Sequence, residues 1–374
     1  MSVVLEDADA LCGQAIQRLL RGEHLSEAET CRMFHLILRG QPGELQQGAF
    51  LAALTAKGET AAEIAGGWRA VDELDTIHPV IANPESLVDT CGTGMDSCKT
   101  FNISTLASLV AAAGGARIAR HGARAITSRC GTVDLAERLG VDVDCPAALV
   151  AGSIERAGIG LFNGMSPESH PELLGRLLTK IRFGSPLNLA ASLANPARPG
   201  RGLRGVHGPH LLRPVAEAMV KIGYSRALVV CGGVRGDSHL TMDEASVCGE
   251  TRAVLTTTDS LREFSFIPED FGIPCFPAAA IAPPATTDQA ARQAVAILAG
   301  QELGAPMEAV ALNAALILWL DERADSIAAG LAQSCDLLAS GAALAVLRAW
   351  VAAQNRDPVR GLAIFDQLVS EAGR

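Results

Sequence analysis

Apolar residues recur at helical spacing through residues 4–75, and this pattern predicts helices alone at the start of the chain. Ser26 stands three residues before Glu29, and Thr60 stands three residues before Glu63, which is the spacing of a capping box at a helix N-terminus. We expect three or four short amphipathic helices here. A unit of this size buries only a small core. Its apolar faces therefore need a neighbour to pack against, either the rest of the chain or a second subunit.

Past residue 76, short apolar runs alternate with helical stretches. The runs LVDT, ARIA, GIGLF, LRGVH and RALVVCG are typical of strands, and they predict a largely parallel sheet covered by helices. From about Thr286 onward the spacing is helical again. We therefore predict an α/β protein with a small N-terminal helical domain at residues 1–76. A larger α/β domain, with a mostly parallel sheet and a helical C-terminal region, is predicted at residues 77–374.

Composition narrows the classes of partner and location. The 374 residues carry a formal net charge of −10, which argues against a nucleic acid or an anionic membrane as the main partner. The ten cysteines form no CxxC pair, so reduced thiols in a cytoplasmic protein are expected. The start MSVVLEDADALCG lacks the basic and apolar blocks of a signal peptide, and the apolar runs are too short for a membrane span.

Two loops rich in glycine, serine and threonine indicate anion binding. DTCGTGMDSCKTFNIST follows one predicted strand and leads into a helix, where free backbone N–H groups and the helix dipole favour a phosphate. The loop matches neither GxGxxG nor GxxxxGK[ST], and alone it is equally consistent with a tight connection. RHGARAITSRCGTVDL follows the next strand and adds arginines, for which a solvated basic face is the alternative. Together the loops predict a ligand with more than one phosphate group.

Asp243 and Glu244 are adjacent acids shortly after the predicted strand RALVVCG. Mg²⁺ favours one or two carboxylates together with substrate phosphate oxygens. An exposed acidic pair is common without a metal, but its combination with two phosphate loops favours a magnesium site.

Several motifs in matching order resemble the anthranilate phosphoribosyltransferases and, more broadly, the group they share with pyrimidine nucleoside phosphorylases. GTGMDSCKTFNIST is similar to the family's GTGGD…TFNIST, and RHGARAITSRCGTVDLAERLGV is similar to its KHGNR segment. ANPA, DEAS, PEDFGI and LNAALIL follow in the same order. The N-terminal stretch resembles the family's helical dimerisation domain, so the resemblance covers most of the chain.

The resemblance implies transfer of phosphoribose from 5-phosphoribosyl 1-diphosphate to an aromatic nitrogen acceptor, with release of pyrophosphate. It implies Mg²⁺ at Asp243, Glu244 and Ser104, and a homodimer formed through the N-terminal helices. His121, Ala123 and Arg182 would meet the acceptor, and His121 is a candidate proton acceptor for which a structural role is equally expected. The implied donor-binding residues are Gly92, Thr93, Gly94, Asp96, Thr100, Asn102, Ser104, Thr105, Arg120, Thr127, Ser128, Gly131 and Thr132.

Three departures from the family pattern lie in and near the predicted site, two of them on the acceptor side. Met95 breaks the family's glycine pair, and Ala123 replaces an asparagine. KIRFGSPLN stands where the family has LGIRTIFN, whose arginine binds the carboxylate of the acceptor. The equivalent residue here is either Arg182, which is two residues farther from Asn188 than in the family, or Gly184, if the family's spacing is kept. We therefore predict that the donor is retained and that the acceptor is not anthranilate. Two alternatives stay open: a nucleoside phosphorylase, and a non-catalytic paralogue with a binding or regulatory role, in which Met95 obstructs the diphosphate.

Overall fold

The computed structural model describes residues 7–125, 129–181 and 183–372. Its first four helices form a bundle, as the apolar spacing predicts. Both predicted capping boxes are present, at Ser26 with Glu29 and at Thr60 with Glu63. The helices are α1 (Ala8–Leu20), α2 (Glu27–Leu38), α3 (Glu44–Lys57) and α4 (Ala61–Leu74).

One eight-stranded sheet has the order β3-β2-β1-β4-β5-β7-β8, with β6 also paired to β5. The first five strands in the chain pair in parallel and coincide with the five predicted apolar runs. The remaining three pair antiparallel and were not predicted. The strands are β1 (Leu87–Gly92), β2 (Arg117–Gly122), β3 (Ile159–Asn163), β4 (Arg201–Gly205), β5 (Arg226–Val234), β6 (Asp237–Met242), β7 (Thr251–Thr257) and β8 (Leu261–Phe266).

Helices cover both faces of the sheet, and the predicted helical C-terminal region is present. The largest apolar core joins the central strands to the C-terminal helices and to the helix that follows β1. The helices are α5 (Ile103–Ala113), α6 (Thr132–Arg138), α7 (Ala147–Ala157), α8 (Leu174–Lys180), α9 (Pro186–Leu193), α10 (Leu212–Lys221), α11 (Thr287–Leu298), α12 (Ala305–Leu320), α13 (Ile327–Ala339), α14 (Ala342–Ala353) and α15 (Pro358–Ala372).

A second apolar core joins α8 and α9 to the N-terminal bundle, although about 100 residues separate them from it. Leu174, Leu177 and Leu187 pack there among side chains of α2 and α3. The helical lobe is thus α1–α4 together with α8 and α9. Gly184, between these two helices, lies against Met95 of the loop after β1. The predicted domain boundary at residue 76 stays a prediction.

Among the described helices, none taken singly has the length and apolarity needed to cross a membrane. The pair α13 and α14 meets that criterion together, by length and composition only, and is bent by 71°.

Candidate active site

An acidic segment lies directly across the carboxyl ends of two parallel strands. Gly92 ends β1 opposite Gly205, which ends β4. A Cβ at Gly205 would lie 1.6 Å from the Asp243 carbonyl oxygen, and one at Gly92 would lie 2.2 Å from Asp243 Oδ2. No other residue type fits so close an approach. The segment closes one side of a cavity of about 260 Å³ between the strand ends and the helical lobe.

The carboxylates of Asp243 and Glu244 are each oriented by a backbone amide. Gly94 N–H donates to Asp243 Oδ2 at 2.6 Å, and Ser104 N–H at the start of α5 donates to Glu244 Oε1 at 3.1 Å. Both residues are only 9% exposed. Burial raises the pKa of both carboxyls, and the charge of Asp96 adds to this for Asp243. Two buried acids whose charges repel each other fit a divalent cation, which stabilises both in the ionised form.

Arg120 on β2 is a buried cation with unused hydrogen-bonding capacity. It is 1% exposed, and its Nη2 donates to Ser104 Oγ at 3.0 Å. Its Nε and Nη1 atoms are buried without a hydrogen-bond partner among the described residues. The same two atoms of Arg204 on β4 are also unpaired within the described structure, but Arg120 lines the cavity and Arg204 does not. The position of Arg120 therefore indicates that its free N–H groups face an anionic ligand beside the acidic pair.

The loop between β1 and α5 is held on both sides. Asn102 Nδ2 donates to the Cys130 carbonyl at 3.1 Å, which ties this loop to the loop after β2. Lys99 Nζ donates to Asp96 Oδ1 at 2.8 Å and to the Gly94 carbonyl at 3.1 Å. Lys99 lines the cavity but was not among the predicted residues. Lys99 could have been predicted to line the cavity because it lies between GTGMD and TFN, the two halves of the motif.

Most predicted donor-binding residues meet in this cavity. Thr105 is instead buried in α5 and does not line it. The loop after β2 was predicted to bind phosphate through its arginines. One of them, Arg124, lines the cavity, but it forms ion pairs with Asp134, Glu137 and Asp144. Thr127, Ser128 and Arg182 lie outside the described residues. The predicted residues that line the cavity are Gly92, Thr93, Gly94, Asp96, Thr100, Asn102, Ser104, Arg120, His121, Ala123, Gly131, Thr132, Asp243 and Glu244.

A chain of hydrogen bonds sets the proton positions on His121. His170 Nδ1 faces the Asp75 carbonyl, which only accepts, so Nδ1 carries the His170 proton and its Nε2 is bare. His121 Nε2 lies 3.0 Å from that atom and must therefore donate to it. Burial, together with His170, lowers the pKa of His121 well below its usual value, so the ring is neutral. With this assignment Nδ1 is unprotonated, and it has no partner within hydrogen-bond distance in the described structure. The backbone of Ser192 lies close enough to the ring to raise the pKa of His121, against the larger effect of burial.

The side of the cavity nearest the helical lobe is largely apolar. The far end of the Met95 side chain crosses to this side, where a Cβ on Gly184 would lie 2.0 Å from Met95 Sδ. The thioether is therefore packed against Gly184, between α8 and α9. Other apolar residues of the lobe that line the cavity are Leu178, Ile181, Phe183 and Ala191.

This contact predicts a coupling between the two positions. Gly184→Ala is expected to displace the Met95 side chain into the cavity and raise the KM for the acceptor. Met95→Gly removes the obstacle, so adding Gly184→Ala in that background should leave KM within about twofold. A double-mutant cycle on the KM values measures the coupling. Equal effects of Gly184→Ala in both backgrounds would show that the contact does not shape the site.

Residues 84–344 match the α/β domain of a glycosyl transferase family, and residues 13–74 match its helical bundle domain. The anthranilate phosphoribosyltransferase of Moorella thermoacetica is 37% identical over 343 residues, covering 90% of this chain and 96% of that one. The chain belongs to the anthranilate phosphoribosyltransferase family. The family's enzyme from Desulfotalea psychrophila is 35% identical and covers 94% of this chain and 99% of its own.

Solved structures of the family have the same architecture. Anthranilate phosphoribosyltransferase from Thermus thermophilus is 33% identical, with a TM-score of 0.79 and coverage of 91% of this chain and 99% of that one. The Saccharomyces cerevisiae protein in complex with PRPP and Mg is 22% identical, with a TM-score of 0.76 and coverage of 97% and 99%. These comparisons confirm the predicted family and fold class.

Proposed function

We propose that the protein is a Mg²⁺-dependent phosphoribosyltransferase of the anthranilate phosphoribosyltransferase type, with an aromatic nitrogen acceptor other than anthranilate. It transfers phosphoribose from 5-phosphoribosyl 1-diphosphate and releases pyrophosphate. The observation that carries the proposal is the buried pair Asp243 and Glu244, held by amides of a glycine-rich loop beside Arg120. Family membership supports the reaction class.

The residues of the cavity suit the charges of this reaction. As the bond from the ribose C1 to the diphosphate breaks, negative charge grows on the leaving pyrophosphate. Asp243 and Glu244, with Ser104, would hold Mg²⁺, which supplies positive charge to the diphosphate oxygens. The unpaired N–H groups of Arg120 would donate to the same anion. Thr127 and Ser128 are proposed to complete the binding of the donor.

His121 is proposed to receive the proton that the acceptor nitrogen loses. Its neutral ring and unprotonated Nδ1 leave a lone pair for an incoming N–H group. His170 acts on this atom indirectly, as a positioning residue, because it fixes which ring nitrogen of His121 carries the proton.

Replacing His170 with alanine is expected to lower kcat by about tenfold or more and to alter the acid limb of the pH–rate profile. His121→Ala should lower kcat by about a hundredfold or more and abolish that limb. Both effects are measured by steady-state kinetics across pH. If His170→Ala changed KM alone and left the pH profile intact, the positioning role would be wrong.

The acceptor is proposed to lack an essential carboxylate because the described cations of the cavity are engaged elsewhere, while Arg182 lies outside the described residues. Among the described residues, the cations that line the cavity are Lys99, Arg120 and Arg124. Lys99 and Arg124 are paired with carboxylates, and Arg120 bonds to Ser104 near the acidic pair. The lobe-side wall is formed largely by small and apolar groups, with Gly184 at the position that preserves the family's spacing.

The proposal is tested by supplying the donor and Mg²⁺ with a panel of aryl amines and azoles, with anthranilate as the reference. Pyrophosphate release with a panel member at least tenfold faster than with anthranilate is expected. Anthranilate turnover at a rate equal to the best panel member would contradict the acceptor assignment. Phosphate-dependent release of base from nucleosides, without pyrophosphate release from the donor, would instead establish the nucleoside phosphorylase alternative.

A further inference from the structure

Three metal-ligating side chains converge on the helical lobe, and none of them lines the active-site cavity. Cys31 and His35 lie four residues apart on α2, so they share one face of the helix. Glu73 reaches them from α4. One ligand atom from each residue lies within 4.8 Å of the other two.

The distances match the edges of a tetrahedral zinc site. Cys31 Sγ lies 3.7 Å from His35 Nε2, which lies 3.2 Å from Glu73 Oε2. With Zn–S near 2.3 Å and Zn–N and Zn–O near 2.0 Å, tetrahedral angles give an S to N edge of about 3.5 Å and an N to O edge of about 3.3 Å. Two of the three edges therefore already have nearly the required length, and the third, from Cys31 Sγ to the Glu73 carboxylate, is at most 4.8 Å.

Hydrogen bonds alone cannot pair all three polar groups of this cluster. Both contacts fall on the same atom, His35 Nε2, which carries at most one proton. If Nε2 is protonated, it donates well to either the sulfur or the carboxylate, not to both. If Nε2 is bare, its lone pair faces the carboxylate. A single cation would accept a lone pair from all three atoms at once.

Exposure across the cluster leaves a path for a metal and room for a water ligand. Cys31 is 7% exposed, whereas the side chains of His35 and Glu73 are 26% and 51% exposed. The sulfur thus forms the closed inner end, and the carboxylate lies at the open end. A three-residue site with one water is a common arrangement for zinc.

We propose that Cys31, His35 and Glu73 bind one thiophilic divalent cation of the Zn²⁺ class, with water as the fourth ligand, and that the ion clamps α2 to α4. On binding, a bond forms between the metal and Cys31 Sγ, and the thiol proton passes to the solvent. A thiolate ligand selects Zn²⁺ over Mg²⁺, so this site is distinct in chemistry from the acidic pair.

Cobalt titration of the full-length metal-free protein tests the proposal. Co²⁺ bound to the thiolate gives a near-ultraviolet charge-transfer band and intense visible bands of a tetrahedral site, neither of which carboxylates alone produce. The charge-transfer band of the wild type is expected to report one Co²⁺ per chain at the thiolate, apart from any Co²⁺ at the acidic pair, and Zn²⁺ is expected to displace that Co²⁺ and bleach the band. Zn²⁺ should also raise the thermal midpoint of the wild type.

Matched variants separate the cluster from the other thiols. Cys31→Ser should abolish the charge-transfer band, whereas Cys335→Ser, at a partly exposed cysteine on α13, should leave it unchanged. Glu73→Gln keeps the size of a half-exposed side chain, so it should fold normally, and it should weaken Co²⁺ binding by more than about tenfold. A wild type without the charge-transfer band, or a Cys31→Ser variant that retains it, would overturn the proposal.

Discussion

Alanine at both Asp243 and Glu244 is expected to abolish Mg²⁺-dependent turnover, lowering kcat/KM for the donor by about a thousandfold or more. The two carboxylates are buried, oriented by Gly94 and Ser104 amides, and close enough to raise the pKa of Glu244 through the charge of Asp243. Without them no described acidic pair remains beside Arg120 to hold the metal. Steady-state kinetics at several Mg²⁺ concentrations measure the effect.

The control for this prediction is Asp259→Ala, an exposed acid between β7 and β8 that lies away from the cavity. It should leave both the rate and its dependence on Mg²⁺ unchanged. A double variant at Asp243 and Glu244 that folds and keeps the wild-type Mg²⁺ dependence would remove these residues from the metal site.

Arg120→Met is expected to weaken donor binding by at least about a hundredfold, because two charge-assisted hydrogen bonds to the anion are lost. The same change should leave the free energy of unfolding unchanged or raise it by up to about 4 kcal/mol, because a poorly paired buried cation is replaced by an apolar chain. Calorimetric titration with the donor and denaturant unfolding measure the two effects. Loss of function without loss of stability is the signature of a residue retained for binding.

Arg204→Met is the matched control, since Arg204 is a second fully buried arginine in the same sheet. Its Nε and Nη1 lack a partner among the described residues, as those of Arg120 do, but its Nη2 pairs with the buried Asp89 and it does not line the cavity. Asp89 also accepts from the Tyr224 hydroxyl at 3.1 Å. Removing Arg204 leaves Asp89 buried without its cation and should lower the free energy of unfolding by about 3–5 kcal/mol. If Arg120→Met destabilised the protein as much as Arg204→Met, Arg120 would be a structural residue.

Local sequence patterns predicted much of this fold. The five parallel strands could be predicted because each contains a short stretch with apolar residues and little alternation, as expected for strands buried on both faces. β2 and β4 also carry the buried arginines Arg120 and Arg204. The glycine-rich loops were predicted at the carboxyl ends of these strands. They lie close together in the structure because parallel strands end at the same edge of a sheet. The capping boxes at Ser26 and Thr60 are signals of only four residues.

Contacts between distant segments were not predictable in this way. Residues of β6 are mostly exposed or half-exposed, so the apolar run that marks a buried strand is missing. The helices α8 and α9 join the N-terminal lobe across a long sequence separation. The partner of His121 is His170, 49 residues away, and no local pattern reports which ring nitrogen faces which atom.

Met95 shows what the structure adds to one open question. From the sequence it was a bulky residue in a phosphate loop, which would either obstruct the diphosphate or reshape the site for a different acceptor. In the structure its thioether lies against Gly184, on the lobe side of the cavity. Gly94 has a φ of +73°, and this left-handed conformation directs the chain into Met95. Dimerisation through the N-terminal helices and a cytoplasmic location stay predictions.

The most direct test of the proposed function is calorimetric titration of the protein with 5-phosphoribosyl 1-diphosphate, with and without Mg²⁺. We expect one donor molecule per chain, bound at least about tenfold more tightly with Mg²⁺, because the metal offsets the repulsion between the diphosphate and the acidic pair. Arg120→Met should remove this binding, while Asp259→Ala should not. Absence of donor binding by the wild type under both conditions would contradict the assignment of this cavity to a phosphoribosyl donor.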